Sequence, residues 1–150
     1  MKKLILITGM LLSTNAWADM KSLLGYMEDV GNDADMTNLL YVNYRCMALF
    51  GMLDTVKSSS TDKNSEIIKK DSEERNRILL ETSFKLWTLL NEDKSIEAFQ
   101  ENVNFTVPLL SDKYLALANE NYLNNGSYIV GNELINEDLL ICGRIVEMNK

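Results

Sequence analysis

The sequence predicts an all-α fold: a small four- or five-helix bundle, one domain, stapled by one disulfide. Three observations carry this. Apolar residues recur at spacings of three and four over most of the chain, and no alternating run of strand length interrupts them. The pairs Glu66 with Lys70, Asp71 with Arg75, Glu73 with Arg77 and Glu81 with Lys85 each place an acid four residues before a base. That is the orientation that supports a helix. Cys46 and Cys142 stand mid-segment on two apolar faces, positioned to clamp the first long helix to the last.

The first eighteen residues read as a cleavable leader rather than as part of the bundle. Lys2 and Lys3 open it, Leu4–Leu12 is apolar but for Thr8 and Gly9, and Ala16-Trp17-Ala18 offers small residues where a signal peptidase reads. A membrane-spanning helix needs about 20 apolar residues, twice this run. Asp19 stands where a bacterial lipoprotein would carry Cys. Cleavage after Ala18 leaves residues 19–150 as one exported domain of 132 residues, in the periplasm or beyond it, enough chain for a real core.

Ser22–Val30 has room for one or two helical turns before a turn at Gly31-Asn32-Asp33. The first long helix spans about Thr37–Lys57, capped by Thr37 or Asp35. Its only charges before Lys57 are Arg45 and Asp54, so it is apolar on most sides and belongs at the centre. Ser58–Asp62 reads as a loop. The second helix spans about Ser65–Asn91, with Lys69–Arg77 solvated and Ile78–Leu90 packed. A third region opens at Ser95 and ends at Asn124-Asn125-Gly126, Gly126 being the left-handed cap. Its apolar register passes through Pro108 without a slip, which favours one kinked helix, or a short break that preserves direction, over two separate helices. Ser127–Gly131 reads as a short extended link, and Asn132 caps a last helix over Glu133–Glu147.

Chemistry is sparsely marked. Histidine is absent, which removes the commonest general base and metal ligand. An exported protein meets an oxidising space, so Cys46 and Cys142 are expected to pair, and no CxxC suggests a redox or metal site. Asp33-Ala34-Asp35-Met36-Thr37 opens like a calcium loop, but Asn38 and Tyr44 occupy the positions that require Gly and Glu. Carboxylate pairs such as Glu97 with Glu101 and Glu137 with Asp138 suit glycosidase-type chemistry, yet an acidic chain produces such pairs by chance on solvated faces. Trp87, Phe84, Phe99 and Phe105 read as core; Tyr41, Tyr44, Tyr114 and Tyr122 are candidates for a binding surface. Met27, Met36, Met47 and Met52 read chiefly as gap-fillers. The glycosylation patterns at Asn104 and Asn125 are chance matches beside a bacterial leader. No cofactor is called for.

The whole chain carries −7; without Lys2 and Lys3 it holds 13 basic against 22 acidic side chains, or −9. Nucleic acid, which demands a basic surface, is excluded as a partner. Residues 19–56 carry −4, residues 57–94 are neutral and residues 95–150 carry −5. The expectation is an exported, non-catalytic interaction protein that engages a basic protein partner, in an inhibitor, immunity or chaperone-like role. The alternatives are a small carboxylate-dependent hydrolase and a carrier of a small apolar ligand.

Overall fold

The computed structural model describes residues 20–58, 65–92 and 95–150, with the backbone alone for 57, 58 and 65–72. The expected leader, residues 1–18, and most of the expected loop at 58–62 lie outside the described residues, as do the side chains of the Glu66–Lys70 pair and of Asp71. The described chain is helical throughout: α1 (Leu23–Val30), a 3-10 turn (Gly31–Asp33), α2 (Met36–Ser58), α3 (Ser65–Leu90), α4 (Ile96–Asn125) and α5 (Glu133–Met148).

Helix α2 is the hub. It packs against α3, α4 and α5, while α1 lies on α5. The cause is visible in its sequence. Val42–Cys46 are five consecutive buried residues, and Ala48, Leu49, Phe50, Met52 and Leu53 continue the burial on the following turns. A helix buried on all sides needs neighbours on all sides. Asp35 supplies its cap, accepting the Asn38 backbone N–H at 2.9 Å.

Helix α4 runs unbroken through Pro108. Proline removes the N–H that would reach the Asn104 carbonyl. Asn104 and Pro108 are both exposed, so solvent serves that carbonyl and the helix continues. The Ser95 hydroxyl caps its start, and Gly126, at φ 72°, ends it in the left-handed conformation.

The link into α5 is a set of tight turns rather than an extended segment. Buried Asn121 draws it in: its amide nitrogen donates to the Ser127 carbonyl at 2.7 Å and to the Val130 carbonyl at 2.9 Å. One carboxamide holding two carbonyls three residues apart folds the backbone over. The Ser127 hydroxyl accepts from the Val130 N–H at 3.0 Å. Gly131 completes the turn at φ 90°, where a side chain would be strained. Asn132 then caps α5, accepting the Ile135 N–H at 3.0 Å.

On α3, Glu73, Glu74 and Arg77 are solvent-facing as expected, but Arg75 is half-buried with its guanidinium 4.7 Å from the Phe50 ring centre. Arg77 pairs forward with Glu81 at 2.7 Å. Among the described residues, no helix is long and apolar enough to cross a membrane.

Candidate functional site

Among the described residues, a buried polar node and a surface groove are candidates for chemistry. The node begins at Arg45, the lone base of α2 before its last turn. Arg45 is 1 % exposed and Asp138, on α5, is fully buried. They form an ion pair through Nη2 and Oδ2. Arg45 also donates to the Tyr114 hydroxyl of α4, from Nε at 3.1 Å and from Nη2 at 3.0 Å, and from Nη1 to the Lys21 carbonyl at 2.8 Å. The Tyr114 hydroxyl donates in turn to Asp138 Oδ2. The other oxygen, Oδ1, accepts the Leu23 backbone N–H at the start of α1. One carboxylate thus joins α1, α2, α4 and α5.

The electrostatics follow from burial. Loss of solvent pushes the Asp138 carboxyl upward, and the Leu23 N–H, the Tyr114 hydroxyl and Arg45 pull against that push. Burial draws the Arg45 guanidinium down, but Tyr114 and Asp138 more than reverse it, so it stays charged. Tyr114 is driven far above the usual phenol range, chiefly by burial. Every polar contact of the node is made to another member or to backbone, and Arg45, Tyr114 and Asp138 are buried, so its groups hold the bundle.

The disulfide lies beside this node. Cys46 follows Arg45 directly, and Cys142 lies one helical turn after Asp138. The two are bonded, with Cα atoms 5.3 Å apart, well inside the range that a bridge tolerates. Both are fully buried. The clamp between the first long helix and the last is therefore covalent and ionic at adjacent positions.

The groove is built by three helices. From α2 come Thr37, Leu40, Tyr41 and Tyr44, one face at spacings of three and four. From α3 come Trp87 and Leu90, with Asn91 just after its end, and from α4 Asn102 and Thr106. It encloses about 500 Å³. Trp87 also packs on Phe99, with ring centres 5.9 Å apart, and Phe99 on Phe84 at 5.2 Å. The Asn91 carboxamide donates to the Trp87 carbonyl at 3.1 Å, which fixes it at the groove edge.

The residues singled out in the sequence separate clearly. Phe84, Trp87 and Phe99 belong to the core or its border, whereas Phe105 is 72 % exposed and is not a core residue. Tyr41 and Tyr44 come together at the groove; Tyr114 is internal to the node, and Tyr122 stacks on Tyr128 with ring centres 4.4 Å apart. Met52 is buried, while Met27 and Met36 are exposed. Glu97, Glu101 and Glu137 face solvent, and Asp138 does not, because adjacent helical positions point about 100° apart. Asp35 is a helix cap and Asp33 ends the 3-10 turn. Among the described residues, no group of three potential ligands is placed to hold a metal ion.

The roles of Arg45 and Asp138 are not written locally, since their partners stand 93 residues apart. The one available signal was a single arginine in a helix otherwise apolar on most sides. Comparison with protein-family models, with curated proteins and with solved structures finds no match to this chain.

Proposed function

We propose that the chain is an exported, non-catalytic interaction protein that binds a basic protein partner through carboxylates of α1, the 3-10 turn and α5. The observation that carries this reading is the packing of α1 on α5, the two acidic ends of the sequence. Glu28 and Asp33 at one end and Glu133 and Glu137 at the other are solvent-facing, and none of the four has an ion-pair partner among the described residues. Asp29 and Glu147 do find cations, Lys21 and Lys150, each at 2.6 Å. Like charges on a shared surface repel, and a basic partner would relieve that repulsion while being steered toward it. The leader and the disulfide support a location outside the cytoplasm.

The test compares the wild-type chain with the quadruple variant E28K/D33K/E133K/E137K in capture from periplasmic extract. Expected is a basic protein retained by the wild type at low salt, released near 1 M, where the Debye length falls to about 3 Å, and lost in the variant. The control E73K/E74K on α3 should retain it. Recovery of no basic protein, or of one indifferent to both salt and the quadruple change, would count against the reading.

A further inference from the structure

We infer that the outer face of α4 is a self-association surface, on which a second copy of this chain docks with its own α4 running antiparallel. Helix α4 packs chiefly on α2 and buries Phe99, Leu110, Tyr114, Ala118 and Asn121. Its opposite side is apolar as well. Leu109, Ala116 and Leu123 are exposed, Leu109 at 47 % and Leu123 at 84 %. They stand seven residues apart, and a helix drifts by only about 20° over that interval, so they form one row. Single exposed apolar side chains are ordinary, but a row at heptad spacing is the kind of seam by which one helix meets another.

The flanks of the row argue for what covers it. By helical geometry Lys113 and Glu120 lie on one side of Ala116, and Asp112 and Asn119 on the other. Among the described residues neither Lys113 nor Glu120 has an ion-pair partner. About 10 Å of helix separates them, too far for them to pair within α4. Consider a two-fold axis at the level of Ala116, perpendicular to the plane of two antiparallel helices. It sets Ala116 against its own copy, where a small side chain lets the backbones approach, and Leu109 against the second copy's Leu123 at each end. It also keeps each flank on its own side. Lys113 then comes level, to within about 1.5 Å along the axis, with the second copy's Glu120, and Asp112 with the second copy's Asn119. Each contact occurs twice. The face is complementary to itself in charge and in apolar surface, as an isologous interface requires. A row about 21 Å long makes an interface at the low end of specific sizes, so the dimer is a weak one. None of these residues belongs to the acidic surface of α1 and α5, and the two readings stand or fall separately.

Sedimentation velocity of the full chain, disulfide intact, over a rising concentration series tests the inference. A reversible monomer–dimer equilibrium is expected. Leu123→Glu, at the most exposed position of the row, should abolish the dimer while the circular dichroism stays that of the wild type. Leu140→Glu, at an exposed leucine of α5, should leave the dimer intact. Lys113→Glu and Glu120→Lys should each weaken association about tenfold, and the double variant should restore it, because exchanging the two charges rebuilds their contact between copies. The quadruple charge variant should still dimerise. The inference is overturned by a monomer at every concentration, by a dimer indifferent to Leu123→Glu, or by failure of the charge exchange to restore association.

Discussion

Arg45 and Asp138 meet as an ion pair that solvent does not reach, one residue and one helical turn from the two halves of the disulfide. Burying two charges is costly, and a mutual contact alone does not offset the cost. Here each partner makes further contacts, Arg45 to the Lys21 carbonyl and the Tyr114 hydroxyl, Asp138 to the Leu23 N–H. The pair is best understood as a device that fixes how α1, α2, α4 and α5 meet.

Asp138→Asn should therefore be severe. It leaves a buried guanidinium without its counter-charge, which costs about 3–5 kcal/mol. The double variant Arg45→Met/Asp138→Leu should lose much less than the sum of the single changes, because residues in direct contact do not add. Urea denaturation of the three variants measures both numbers. Additive losses would show that the two side chains act independently.

Removing the bridge should cost stability on a similar scale. In the chain-entropy model a closed loop of about a hundred residues is worth roughly 4–5 kcal/mol, and the separation here is 96. Cys46→Ala/Cys142→Ala should lower Tm sharply in calorimetry, and reductant should lower the wild type to match. An unchanged Tm in both experiments would contradict the assignment.

High pH should unfold the protein through its buried phenols. The folded-state value of Tyr44 is raised, so its contribution is complete below the unfolded value near 10 and is lost as pH climbs toward 12. Two pH units on one group correspond to about 2–3 kcal/mol. Tyr114 moves in the same direction. Tyrosinate absorbance from the buried pair should rise only well above 10, together with loss of helix. A single smooth transition near 10 with helicity intact would count against their burial.

Core truncations should rank by burial. Leu79→Ala, at a position with no exposure, should cost about 2–5 kcal/mol, and Leu86→Ala, at a half-buried one, clearly less. Thermal melts give the order directly, and a reversed order would contradict the packing of α3 on α2.

What was legible in the sequence was local. Ser95, Asn132 and Gly126 mark helix ends because a hydroxyl, a carboxamide and a residue tolerant of positive φ each act within a few residues. The centrality of α2 was legible too, in its shortage of charge. The disulfide could be expected because only two cysteines are present. The node and the groove were not legible. Asp138 resembles any other acid of α5 until Tyr114, 24 residues before it, and Arg45, 93 residues before it, are folded around it. Thr37, Trp87 and Thr106 line one groove only because three separate helices converge. Within the link before α5, the turn was hidden for the same reason: Asn121, which holds it, belongs to the preceding helix.

The Cys46–Cys142 bond closes a covalent circle that contains the whole of α3 and α4. A protease that nicks the chain anywhere inside the circle leaves one molecule, its pieces still tethered until a reductant parts them. Helix α1 lies outside, attached to the circle by one stretch of backbone and otherwise held only by its contacts with the bundle. A single cut between Gly31 and Asp35 would set α1 free to leave, and its departure would strip the Lys21 carbonyl from Arg45 and the Leu23 N–H from Asp138. The most securely sealed part of the molecule and its most detachable part thus abut at the same pair of charges.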